Sequence, residues 1–150
     1  MGTVQLIRCA DVFAAPEAGT LLEEYAAECS IPAIGKINPQ PSLYEALERS
    51  GALVCFGAYR YDKLIGFATV LITVLPHYGK AVAMLESIFV GAAHRKGGAG
   101  NSLLRAVESY AAERGCAAVL YSAPAGGRLE MLLMLSKSRK RTNAVFCKSL

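Results

Sequence analysis

The chain has 150 residues, of which 53% are hydrophobic and 19% charged. That fits one folded domain over residues 1–150, and excludes a disordered chain or two full domains. The formal net charge is +4, and the excess sits in two runs, Arg95-Lys96 and Lys137 to Arg141; each is either a solvated face or a patch for an anionic ligand.

The longest apolar stretch, Ile65 to Leu75, is broken by Gly66 and by threonines. It falls short of the ~18 residues of a membrane span, so no membrane association is expected. The start, MGTVQLIRCADVF, lacks a signal-peptide layout. Five cysteines are widely spaced with no CxxC, which argues against a disulfide framework or a metal site and for a reducing cytoplasm.

In chain order, Thr3 to Cys9 reads as a strand. Glu17 to Cys29 reads as a helix, with Leu21, Leu22, Tyr25 and Cys29 on one face, stopped by Ser30-Ile31-Pro32. A loop covers 31–41. Ser42 opens a short helix through a capping-box pattern with Glu45, and Ser50-Gly51 closes it. Three strands follow, Leu53 to Tyr61, Leu64 to Leu75 and Ala81 to Val90. Their turns, Asp62-Lys63 and Pro76 to Gly79, are short enough to imply an antiparallel meander. A helix from Gly98 to Arg114 carries the stripe Leu103, Leu104, Val107 and Ala111, and Gly115 ends it. Ala117 to Ser122 reads as a buried strand, parallel to Ala81 to Val90 because a helix intervenes. Arg128 to Ser136 reads as a helix and Thr142 to Lys148 as a last strand. The expected order is β-α-α-β-β-β-α-β-α-β, an α/β fold with a mixed, mostly antiparallel central sheet and helices on both faces.

Between the third meander strand and the long helix lies HRKGGAG, His94 to Gly100. A simple turn needs one glycine; three, ahead of a helix, suggest that backbone approaches a ligand. No Lys-Ser/Thr follows Gly100, so this is not a Walker A loop, and it does not fit a GxGxxG dinucleotide fingerprint. The free N–H groups and positive end of the helix, beside Arg95 and Lys96, suit a pyrophosphate. The alternative is a glycine-rich turn with a solvated basic pair, and His94 reads as loop surface.

The stretch LESIFVGAAHRKGGAGNSLLRAVESYAAERG resembles the acyl-CoA-binding core of the GNAT N-acetyltransferase superfamily. The matching pattern is a strand ending in Val90, then Arg95-x-x-Gly98-x-Gly100, then a helix. The element order matches over about nine-tenths of the chain. The resemblance implies acetyl-CoA as donor and a primary amine as acceptor, without a metal. It implies that the main chain of Arg95, Lys96, Gly97, Gly98, Ala99 and Gly100 holds the CoA pyrophosphate, with Asn101 and Ser102 in the helical turn that follows. Phe89 and Val90, with Ile88 beside them, would pair with the pantetheine arm, and the Val90 N–H would polarise the thioester carbonyl.

An alkyl ammonium, with a pKa of ~10.4, must lose a proton before it attacks. Glu86 is the one acid between Ala81 and Val90, and period two would put it on the face of Ile88 and Val90. It reads either as the general base or as a carboxylate facing solvent or a strand neighbour. His77, in the turn, is the second candidate base, or is simply exposed. Relatives often place a tyrosine proton donor in the last helix; here Ser136 falls near that position. Tyr121 is the substitute acid, or a hydrogen-bonded core tyrosine; Ser136 and water stand beside it. The loop 31–41 and the turn 76–79 would frame the acceptor, with no acidic lining for a polycation. A single strand after the last helix would leave an open sheet edge, so a homodimer is expected. Two alternatives remain, a non-catalytic CoA-binding module and a basic polyanion-binding protein. Nucleic acid has no recognisable motif to support it.

Overall fold

The computed structural model describes residues 2–150. Strands β1 (Thr3–Ile7), β2 (Leu53–Arg60), β3 (Lys63–Leu75), β4 (Lys80–Val90) and β5 (Val119–Leu120) form one sheet in the order β1-β2-β3-β4-β5. The first three pairings are antiparallel, and β4 with β5 is parallel. The mixed sheet is therefore as expected. The β2–β3 turn falls at Tyr61-Asp62, one residue earlier than expected, and both residues adopt positive φ (49° and 60°), as the tight turns that suit twisted strands require.

Helices cover both faces. On one face α1 (Cys9–Ala14), α2 (Ala18–Cys29) and α3 (Pro41–Arg49) enclose Cys55, Phe67 and Phe89 with Val12 and Leu21. On the other, α4 (Ala99–Glu113) packs Leu103 and Val107 onto Phe56, Ala68, Val70 and Leu85. Leu129 of α5 (Arg128–Met134) joins that second cluster. Gly115, at φ 73°, turns the chain out of α4 and donates to Ala112 O (3.0 Å).

Three expectations change. First, α1 was not foreseen. Asp11 at its third position accepts from the Arg8 main-chain N–H (3.1 Å) and guanidinium (2.9 Å), and that pairing sustains a single short helix before Pro16. Second, the Ser42–Glu45 capping box does not form. Pro41 is the first helical residue, so Ser42 already lies inside α3, and Glu45 instead pairs with Arg49 (3.3 Å). Third, residues 142–148 form no strand and are exposed. β5, expected as a buried strand over Ala117 to Ser122, offers only two paired positions, Val119 and Leu120, and Leu120 is exposed. The few ladder bonds available there do not offset an ordering cost of about 1–2 kcal/mol per residue. The order is thus β-α-α-α-β-β-β-α-β-α, with a 3₁₀ turn, Ala92–Gly97, ahead of α4.

Candidate functional site

The centre of the site is an irregularity in β4. Thr69 pairs with Ser87, yet its neighbour Val70 pairs with Leu85, so Glu86 is an extra residue with no partner on β3: a β-bulge. The bulge breaks the period-two alternation. Ile88 and Val90 stay on the α4 face, while Glu86 turns to the α1–α3 face. The expected shared face with Ile88 and Val90 is therefore corrected. There Tyr44 of α3 places its hydroxyl 3.3 Å from both Glu86 carboxylate oxygens. Thr69 Oγ1 hydrogen-bonds Glu86 Oε2 and lies 2.5 Å from Ser87 Oγ. Glu86 itself is exposed, so its carboxylate is held in place but remains open to solvent.

The tyrosines around it register its charge. Burial pushes Tyr25 up to about 12, helped by the Glu86 carboxylate. Burial, then Glu86, also raises Tyr44. Both stay protonated near neutrality, so Tyr44 acts as a donor to the carboxylate. Beneath them a small cavity of about 30 Å³ is walled by Val12, Phe13, Leu22, Tyr25, Tyr44, Phe67, Thr69 and Ser87, among others.

Beyond the bulge, β4 has one free edge. The Gly91 N–H donates to Ile65 O (2.9 Å), so by strand alternation the main-chain groups of Ile88 and Val90 point away from β3. β5 pairs only with Ala83 and Met84. The Val90 N–H therefore faces an unpaired edge, next to the start of the glycine loop.

That loop is built to present backbone. Gly98 is the N-cap of α4 at φ 78°, a conformation that favours glycine. The first helical bond is Ser102 N–H to Gly98 O (3.1 Å), which leaves the N–H groups of Ala99, Gly100 and Asn101 without intrahelical partners. Gly97 and Gly100 need no special φ. A Cβ on Gly97 would meet nothing within 4 Å, and one on Gly100 only Leu132 Cδ2 at 3.7 Å. Neither the backbone nor the packing within the chain explains these two glycines.

The loop cations do not behave alike. Arg95 donates to Val90 O (2.9 Å) and to Glu28 Oε1 of α2 (2.8 Å) and stacks over Phe89 at 5.1 Å. Its guanidinium thereby anchors the loop to α2 and to the end of β4. Lys96 is exposed. His94 is partly buried, not loop surface, and its Nδ1 has no partner among the described residues. A cation that sequence reasoning missed, Arg105, lines a cleft of about 240 Å³ with Gly97, Gly98, Asn101 and Ser102 on one side and Thr3, Val4 and Ala58 on the other. Its signal was the helical spacing Asn101 to Arg105. Tyr44 and Thr69 were also missed, and no local pattern marks either.

The other candidates lie apart. His77 is exposed at the tip of the β3–β4 hairpin against Tyr78 (5.0 Å). Seven residues beyond Val70, at ~3.3 Å per residue, it stands roughly 20 Å along the strand from Glu86. The turn 76–79 therefore does not frame this site. Tyr121 donates to Glu108 Oε1 (2.6 Å), which also accepts from Arg139 Nε (2.7 Å). Burial and then the Glu108 hydrogen bond raise Tyr121. In the basic run, Arg139 is thereby occupied and Arg141 lies 3.9 Å from Glu130. Among the described residues no three His, Cys, Asp or Glu side chains gather as a metal would need, and no helix is long and apolar enough to cross a membrane.

Residues 20–126 match the family described as Acetyltransferase (GNAT) family. No curated protein matches significantly. A ribosomal-protein-alanine N-acetyltransferase from Brucella melitensis biovar Abortus 2308 is 21% identical over 100% of this chain and 98% of that one, with a TM-score of 0.69. An aminoglycoside acetyltransferase, meta-AAC0020, from an uncultured soil metagenomic sample in complex with sisomicin is 16% identical over 99% and 96%, with a TM-score of 0.76. AAC(6')-Iy in complex with the bisubstrate analog CoA-S-monomethyl-acetylneamine is 18% identical over 99% and 97%, with a TM-score of 0.73. At these identities the likeness is one of fold.

Proposed function

Since the chain belongs to the acetyltransferase (GNAT) family and is an acyltransferase, we propose that it transfers an acetyl group from acetyl-CoA to a primary amine by direct attack in a ternary complex. The observation that carries this reading is the bulge carboxylate, Glu86, upstream of a free β4 edge that runs into a glycine-started helix.

The donor's pyrophosphate is held by the unpaired N–H groups of Ala99, Gly100 and Asn101 at the positive end of α4. Gly97 and Gly100 let it approach. Lys96 and Ser102 stand in or beside the same turn. Ile88 and Val90 offer ladder groups to the amide-bearing pantetheine arm, as an added strand would use them. Phe89 is turned to the opposite face and packs on Tyr25 (5.8 Å).

Glu86 takes the ammonium proton, directly or through one water. The neutral nitrogen then attacks the thioester carbon; as the tetrahedral intermediate collapses the C–S bond breaks, and the second nitrogen proton passes through water to the departing thiolate. The Val90 N–H stabilises the charge that develops on the carbonyl oxygen. The thiolate leaves without strong acid help, because a free thiol's pKa is about 8.5. Water serves as its proton source better than Tyr121, whose hydroxyl already donates to Glu108, or His77 on the distant hairpin. A second copy pairing along the short β5 edge would make a homodimer, and a monomeric mass at high concentration would remove it.

The reading is tested by following thiol release from acetyl-CoA with and without an amine. Release that depends on the amine, with acetylated amine as product, supports it. Binding of CoA without transfer to any amine would favour a non-catalytic module.

A further inference from the structure

The small cavity beside Glu86 has a chemistry of its own. Two of its wall residues, Tyr44 and Thr69, are the same groups that hold the Glu86 carboxylate. Apart from Ser87, whose hydroxyl is paired with that of Thr69, the rest of the wall is apolar or aromatic. Phe13 packs edge-on to Tyr44 at 5.7 Å, and Tyr25 edge-on to Phe67 at 5.7 Å. No lysine, arginine, aspartate or glutamate lines it. An ammonium drawn to Glu86 thus meets one carboxylate beside an uncharged, largely aromatic wall, an arrangement that favours a single cation over a string of them. Behind that point lies apolar space of about 30 Å³, room for about two water-sized groups.

Resting on the transfer reaction above, we infer that the acceptor is a primary monoamine with a short apolar branch next to its amine-bearing carbon. The nitrogen sits at Glu86, and the branch enters the cavity between Phe13, Tyr25, Leu22 and Phe67. A polyamine or aminosugar would leave further ammonium groups against aromatic walls without carboxylates. A hydroxyl-bearing arm would lose its water and find the Tyr44, Thr69 and Ser87 hydroxyls already engaged with Glu86 or with one another. Leu22 is half-buried at the cavity's rim, so it sets the depth available to the branch.

The test compares kcat/KM, at fixed acetyl-CoA, for isobutylamine, ethanolamine, 2-phenylethylamine and spermidine, with wild type and Leu22→Ala. Wild type should prefer isobutylamine at least tenfold over ethanolamine and over spermidine. Leu22→Ala should raise the 2-phenylethylamine to isobutylamine ratio at least tenfold and leave the KM for acetyl-CoA unchanged. A wild-type preference for ethanolamine or spermidine overturns the inference, and so does an unaltered ratio in a folded Leu22→Ala. If that variant does not fold, the wild-type ranking decides alone. Acetyl-CoA binding with none of the four amines acetylated also overturns it while sparing the donor site. Absence of both binding and transfer removes the proposed function itself.

Discussion

Tyr44 and Glu86, 42 residues apart in sequence, meet at 3.3 Å between the tyrosine hydroxyl and each carboxylate oxygen. The contact joins α3 to the bulge of β4, and on the proposed mechanism Tyr44 is a positioning residue for the base. Tyr44→Phe should keep the fold and the KM for acetyl-CoA. It should slow turnover roughly tenfold, as expected for losing one hydrogen bond to a charged group. Steady-state kinetics with both substrates varied checks this; an unchanged kcat would detach Tyr44 from the mechanism.

Glu86→Gln removes the base and keeps the shape. Turnover near neutral pH should fall by about 10²–10⁴-fold, the usual worth of a positioned general base. Raising the pH should restore part of it, because free amine becomes more abundant as the pH nears ~10.4. The melting-temperature shift produced by acetyl-CoA should match wild type. A flat ratio of variant to wild-type rates across pH would assign Glu86 a structural role.

The glycines of the loop should separate by cause. Gly98→Ala places a Cβ at φ 78° and should cost stability by about 1 kcal/mol. Gly100→Ala meets only Leu132 Cδ2 at an ordinary 3.7 Å. It should leave stability unchanged or raise it by up to about 1 kcal/mol, yet weaken acetyl-CoA binding at least tenfold. Denaturant melts and calorimetric titration read the two effects; wild-type affinity in Gly100→Ala would mean that no ligand approaches there.

Glu108 offers a pH-dependent check on the α4 face. Burial opposes its charge, but the hydrogen bonds from Arg139 and Tyr121 outweigh burial and hold its pKa below the ordinary 4.5. A carboxylate depressed in the folded state stabilises above its unfolded pKa, and that contribution is lost as pH falls through the folded value. Wild type should therefore melt above Glu108→Gln at pH 7, and the gap should narrow as the pH falls below the ordinary 4.5. A gap that does not change with acidification would show that the effect is steric.

The meander and the glycine-started helix were legible in the sequence because each rests on local signals. The meander shows long apolar strands with short turns, and the helix a stripe at Leu103, Leu104, Val107 and Ala111 between glycines. The bulge was not legible. It adds a single residue to a strand, and its position depends on how Thr69 and Val70 register across β3. That one shift changed the face of Glu86 and brought in Thr69 and Tyr44, which no spacing rule connects to it. The partner of Arg95 was not legible for a related reason: Glu28, 67 residues away, takes its guanidinium. The last strand failed because β-propensity at Thr142 to Lys148 does not guarantee a neighbour long enough to pair with.

The most direct test of the account is a thermal melt with millimolar acetyl-CoA, alongside CoA and ADP. A ligand held only by the folded chain adds about 2.7 kcal/mol at a hundredfold excess over its Kd. The account predicts a clear rise with acetyl-CoA and CoA, a smaller one with ADP, and loss of all three in Gly100→Glu. A folded, ligand-free protein whose melting temperature does not move with acetyl-CoA would contradict it, and the glycines of HRKGGAG would then serve only to turn the chain.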